Sequence, residues 1–136
     1  MYKKSVSLLL ILAAVALLAG CKKDAEITAV LADFDSFTKE LVKKVDANPT
    51  AAGVDDAQKY LDSKKEELKG KWDSIKGARG FQVSKETQQK MEESLKNNFM
   101  SVVGLQSKHI GRSMGDPAFK SKLEKLVKDY QALYQV

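Results

Sequence analysis

The stretch DPAFKSKLEKLVKDYQALY, residues 116–134, decides the fold. Phe119, Leu123, Leu126, Val127, Tyr130, Leu133 and Tyr134 fall on one face of a helix of 3.6 residues per turn, and lysines and acids fill the other face. Asp116 is a good N-cap and Pro117 suits the first turn, where its missing N–H costs nothing. This is an amphipathic helix with a single apolar stripe, and it needs partners to cover that stripe.

Reading toward the N-terminus, three more segments carry the same spacing. One starts at Ser84 and runs through Met91, Leu95, Phe99, Val102, Leu105 and Ile110, with Gly111 just beyond. Another runs from about Val54 to Lys76 on Val54, Ala57, Leu61, Leu68, Trp72 and Ile75; Gly70 weakens it by about 1 kcal/mol relative to alanine. The first covers Asp24 to Ala47 on Ile27, Val30, Leu31, Phe34, Phe37, Leu41, Val42 and Val45, and Asn48-Pro49 stops it. No segment alternates as a strand would. The connections, Asn48–Gly53, Gly77–Val83 and Gly111–Gly115, are five to seven residues long, so consecutive helices should run antiparallel. The expected fold is all-α, an up-down-up-down four-helix bundle.

The chain has 136 residues, 43% hydrophobic and 30% charged, with only two prolines and eight glycines, which allows one globular domain. Its net charge of +5 includes Lys3 and Lys4; without them 21 basic and 18 acidic residues leave +3. That surplus is too small and too mixed to indicate a nucleic-acid partner. The single cysteine excludes an intramolecular disulfide, so helix packing must supply the stability.

The N-terminus is a targeting segment. A short basic run, Met1-Tyr2-Lys3-Lys4, precedes twelve uninterrupted apolar residues, Leu8 to Ala19. A membrane span needs about 20 apolar residues, whereas a short apolar run closed by small residues is the grammar of an export signal. Leu18-Ala19-Gly20-Cys21 resembles the lipobox of bacterial lipoproteins. The resemblance covers the first 21 residues. It implies a signal peptide (1–20) removed after Gly20, a diacylglyceryl thioether on Cys21, acylation of the new amino group by a fatty acid such as palmitate, and a short tether (21–24) leading into a single helical domain (25–136). Two or three acyl chains hold a protein firmly where one does not. In enterobacterial lipoproteins an aspartate after the cysteine signals inner-membrane retention. Here Lys22 follows, which by that resemblance implies the periplasmic face of the outer membrane.

Candidate reactive residues lack the company that chemistry requires. His109 is the only histidine, and the only cysteine is assigned to lipid, so a zinc cluster has no ligands to draw on; a solvated or helix-end histidine is expected. Covalent haem needs Cys-x-x-Cys-His, which is absent; Met91, Met100 and Met114 share a helix with His109 or lie in the loop after it, instead of facing it across the bundle. The pairs Asp55-Asp56, Glu66-Glu67 and Glu92-Glu93 diverge by about 100° on a helix. Gly70, Gly77 and Gly80 do not have the spacing of a phosphate-binding loop, and Ser84 and Ser113 sit on no nucleophile elbow. No enzyme activity, metal or cofactor is expected beyond the lipid on Cys21.

The expected function is therefore a membrane-anchored, non-enzymatic interaction module that binds another envelope protein in an assembly or adaptor role. In size, lipidation and helicity the chain is similar to pilotins. The competing classes are a periplasmic holdase or stress chaperone and a carrier of lipid or another apolar ligand in the bundle centre. The tether also sets an orientation. With Cys21 at the lipid, the start of the first helix, the end of the second, the start of the third and the end of the fourth share one pole. That pole would bring Lys69, Lys71, Trp72, Lys76, Arg79 and Phe81 to the membrane, with Lys22, Lys23, Tyr130 and Tyr134 beside them; the alternative is that Trp72 and Phe81 close the core and the lysines solubilise the surface. The opposite pole, with Arg112 and Met114, would then face a partner.

Overall fold

The computed structural model describes the backbone of residues 2–78 and 83–134, and the side chains within these ranges from Lys23 onward. It is all-α, with five helices and no strand among the described residues: α1 (Tyr2–Ala47), α2 (Ala51–Ile75), α3 (Lys85–Lys108), α4 (Ile110–Gly115) and α5 (Pro117–Gln131). Three of the starts are set by side-chain caps. Thr50 Oγ1 accepts from Gly53 N at 3.1 Å, Ser84 Oγ from Thr87 N at 3.2 Å, and Asp116 Oδ1 from Phe119 N at 3.0 Å. Each satisfies one of the backbone donors that a helix start leaves unpaired.

Two boundaries differ from the sequence expectation. α2 begins at Ala51, three residues before Val54, because Thr50 caps it and Gly53 lets the turn close. A Cβ on Gly53 would lie 1.8 Å from the Asn48 carbonyl oxygen. The expected loop Gly111–Gly115 is instead the helix α4, separated from α3 only by His109, whose backbone (φ −105°, ψ 23°) breaks the regular turn. α1 is continuous from Tyr2 through the segment read as signal and tether; alanine and leucine favour helix, and no proline interrupts them.

α1 is the beam on which the other helices are set. It packs against α2 and α3; α5 also packs against α2 and α3; no Cα of α2 comes within 8 Å of a Cα of α3. The four long helices thus form a ring in which α2 faces α3, and α1 faces α5, across a diagonal. α1 and α2 are antiparallel: Lys23 approaches the Ser74 carbonyl, Lys71 meets Asp33, and Phe37 stacks on Tyr60.

α1 and α3 are parallel, and their register is fixed by aspartates eleven residues apart. Asp24 accepts from Ser84 N (3.1 Å), Asp35 from Ser94 Oγ (2.6 Å) and Asn98 Nδ2 (2.7 Å), and Asp46 from Lys108 Nζ (2.6 Å). Eleven residues make about three turns, so the three carboxylates lie along one line of α1.

The core fills the space between the four helices with Phe34, Leu41, Leu61, Leu105, Leu126 and Tyr130, all fully buried. The two diagonal helices α1 and α5 meet at its centre, where Thr38 Oγ1 and Tyr130 Oη are 2.6 Å apart and Tyr130 Oη and Tyr134 Oη 2.8 Å.

Candidate functional site

Three regions bear on function: the pole at the start of α1, the pole at its end, and the flank between α3 and α5.

At the first pole the described basic residues are largely engaged within the protein. Lys71 donates to Asp33 (2.8 Å) and Glu67 (2.7 Å), and these hydrogen bonds raise its pKa above the ordinary lysine value. Lys76 pairs with Asp73 at 2.7 Å and Lys23 with Glu26 at 3.2 Å. Lys69 is exposed, with no ion pair among the described residues. Trp72 is half-buried, its ring 6.5 Å from Phe34 and 5.5 Å from Tyr134, so much of its surface closes the end of the core. Tyr130 is wholly inside. Burial pushes the Tyr130 and Tyr134 phenols above the ordinary tyrosine value, which keeps both hydroxyls neutral. Arg79 and Phe81, and the side chains of Cys21 and Lys22, lie outside the described residues.

At the second pole Arg112 Nε donates to the Pro49 carbonyl at 2.7 Å, tying α4 to the α1–α2 link. Beside it, His109 caps the end of α3, but it is not solvated. Its side chain is 12% exposed; Nε2 lies 2.8 Å from Asp46 Oδ1 and the ring stands edge-on to Phe119. Burial opposes ionisation of Asp46, but the hydrogen bonds from Lys108 and His109 outweigh it and hold the carboxyl below the usual aspartate range. The arrangement is a clamp joining the ends of α1 and α3. The described residues contain no group of three or more His, Cys, Asp or Glu side chains placed to hold a metal.

The third region breaks the pattern of a covered core. On α1 every stripe residue from Ile27 to Val45 is buried or half-buried. On α3 only Val102 and Leu105 of the apolar residues are fully buried. Phe99 is 40% exposed, Met100 58%, Ile110 62% and Met114 83%, and these are all the exposed large apolar side chains among the described residues. They lie on α3 and α4.

Between α3–α4 and α5 the surface opens into two grooves end to end. One, of about 460 Å³, is lined by Leu95, Lys96, Phe99, Gln131 and Tyr134. The other, of about 360 Å³, is lined by Gln106, Ile110, Ser113, Met114, Lys120, Leu123 and Glu124. On α3 the lining residues run from Leu95 to Gln106, eleven residues or about 16 Å of helix, and α4 carries the second groove on through Ile110 and Met114. Sequence reading had placed Phe99 and Ile110 in the core. The apolar arc of α3 is wide: Val102 and Leu105 occupy one side, Leu95, Phe99, Val103 and Ile110 the other. α5, fifteen residues long, covers only the first side. The width of that arc was the available signal.

Comparison with known protein families, with curated proteins and with solved structures finds no match to this chain.

Proposed function

We propose that this chain is a lipid-anchored envelope protein whose domain is a non-enzymatic interaction module. In this reading the signal peptide 1–20 is removed, Cys21 carries the lipid, and Lys22 directs the protein to the periplasmic face of the outer membrane. The helices are an up-down-up-down bundle, with α4 as an added turn before the last of the four. The observation that carries the reading is the gathering of Phe99, Ile110 and Met114 along the two open grooves of one flank, on a protein whose other stripes are covered. Exposed apolar surface concentrated in one place marks an interaction site more often than scattered surface does. Of the two residues expected to face a partner, Met114 lines the groove and Arg112 serves the fold. Of the residues expected at the membrane, Lys69, Lys71, Trp72 and Lys76 lie at or near the end of α2, and the ion pairs of Lys71 and Lys76 leave the lipid on Cys21 as the principal attachment in this reading. A carrier with its ligand in the bundle centre is disfavoured, because large side chains fill that centre.

The test has two arms in a bacterial host expressing the full chain. Mass spectrometry of the mature protein should show Cys21 as the N-terminal residue bearing acyl chains; an unmodified Cys21 overturns the anchor. A photo-crosslinking residue at Ile110 should give one or a few discrete protein adducts that a probe at the exposed Lys39 does not give. Identical adducts from both positions, or none from Ile110, overturn the module.

A further inference from the structure

Resting on that reading, we propose that the α3–α5 groove takes one amphipathic helix of a partner protein, laid along the groove with acidic residues flanking its apolar stripe. Three features of the groove select this occupant. The first is shape. The two grooves follow one another along the α3–α5 seam, with Phe99 exposed in the first and Ile110 and Met114 in the second, a row of apolar side chains that the stripe of one helix can cover.

The second is the state of the backbone. A segment lying in this groove meets side chains of two regular helices, whose own N–H and C=O groups are already paired within them. An extended segment would find only a few side chains, Gln106, Ser113 and Gln131 among them, to answer its backbone donors and acceptors, and the groups left unpaired would work against binding. A helix satisfies its own backbone and can present side chains alone. The sheet edge that extended peptides exploit does not exist among the described residues.

The third is charge. Lys96 lines the first groove from α3 and Lys120 the second from α5, where one carboxylate, Glu124, lies 4.0 Å from Lys120. Lys96 has no carboxylate partner among the described residues, although most lysines of the domain are paired. The rim is thus net positive over an apolar floor. A second copy of this chain would set two such rims against each other. A helix with glutamates or aspartates on both sides of its stripe meets them with the opposite sign, which favours encounter and orientation.

The experiment uses the full chain, processed in its host and reconstituted in phosphatidylcholine nanodiscs. The probe is a fluorescein-labelled model helix of about 16 residues with leucines at helical spacing and glutamates on both flanks. A second probe carries lysines in place of the glutamates, and a third carries the first composition in scrambled order. Fluorescence anisotropy should show saturable binding of the glutamate-flanked helix, weakened by added salt, and at least about fivefold tighter than binding of the lysine-flanked helix. Phe99→Ser with Ile110→Ser should weaken it about tenfold or more, and Lys96→Gln with Lys120→Gln should narrow the gap between the two probes. Far-UV circular dichroism of each variant checks that the helices persist; both substitution pairs are at exposed positions, so the fold should tolerate them. Equal binding of all three probes, or binding indifferent to Phe99 and Ile110, overturns the proposal. So does a dimer of the full chain that Phe99→Ser dissociates, because a second copy then holds the groove. If the probes fail while Ile110 still crosslinks a discrete protein in the host, the helical occupant is wrong and the interaction module stands.

Discussion

The hydroxyl chain at the core gives a sharp test of how this fold is held together. Tyr130 is fully buried and Thr38 is 1% exposed, so the 2.6 Å contact between their oxygens has no water to replace it. Tyr130→Phe removes one oxygen and leaves the ring packing intact, including the stack on Phe37. The Thr38 hydroxyl loses its partner inside the protein, and a buried group left unpaired costs about 1–3 kcal/mol. Part is recovered because a threonine on a helix can turn its hydroxyl to the carbonyl four residues earlier, here that of Phe34. Tyr134 is half-buried, and its hydroxyl can find another partner more cheaply. The expected loss is therefore about 1–2 kcal/mol, or a fall in Tm of about 4–8 °C for a domain of this size. Thr38→Val should cost about 1 kcal/mol, since Tyr130 keeps Tyr134. The double variant should cost clearly less than the sum, because removing both partners leaves neither unpaired. Urea unfolding of the chain carrying Cys21→Ser, followed by circular dichroism and by the fluorescence of the single tryptophan, Trp72, measures all three. Additive losses, or a neutral Tyr130→Phe, would refute the claim that this chain of hydroxyls joins α1 to α5.

Two glycines on α2 should respond oppositely to alanine. At Gly53 the new Cβ meets the Asn48 carbonyl, so Gly53→Ala should cost about 2–3 kcal/mol by forcing the α1–α2 link apart. At Gly70 nothing lies within 4 Å, and Gly70→Ala should add about 0.5–1 kcal/mol. The same urea titrations decide both. The third prediction concerns pH. Because Asp46 titrates lower in the folded state than in the unfolded chain, its contribution is present above the ordinary aspartate range and is lost as pH falls through the folded value. Asp46→Asn should thus cost about 1 kcal/mol at neutral pH, and its stability should converge on that of the parent in acid. A constant gap across that range would show that the carboxylate charge is not what joins α1 to α3.

The local chemistry of the helix ends was legible in the chain. Asn48-Pro49, Ser84 and Asp116-Pro117 act through their own and neighbouring backbone groups, and each stops or starts a helix where it was expected to. The α2 start was misread because the value of Thr50 as a cap depends on Gly53 packing against Asn48, an approach that no spacing rule shows. α4 was taken for a loop because its glycines, Gly111 and Gly115, are poor helix formers; the hold of Arg112 on Pro49 offsets that weakness from outside the segment. The line of Asp24, Asp35 and Asp46 was invisible for another reason. Acids outside an apolar stripe read as solvated, and only the packing of α3 on that side of α1 turns them into contacts. The groove lies beyond sequence reading in the same way. Periodicity shows how wide the apolar arc of α3 is, but how much of it is covered depends on the length of α5 and on α2 standing across the diagonal.

These two unforeseen features belong together. A helix in a small bundle is usually positioned by the apolar surface it buries, and α3 buries few large apolar side chains completely. It is held instead by hydrogen bonds at three levels along α1, at Asp24, Asp35 and Asp46. Bonds of this kind are directional and fix register, whereas apolar contact alone lets a helix slide or rotate toward whatever covers it best. Pinned on its α1 side, α3 cannot roll inward to hide Phe99 and Ile110 against α5. The open groove is therefore a consequence of how α3 is attached, and it exists before any partner arrives. A site formed in advance spares the binding step the cost of ordering it. Weakening the line of aspartates should let α3 rotate and bury the exposed residues, so affinity for the groove should fall in a variant such as Asp35→Ala even though Asp35 lies on the far side of α3 from it. If the groove binds as well after that change, α3 is held by its apolar contacts, and the hydrogen-bonded line is an accompaniment of the fold, not the reason the groove stays open.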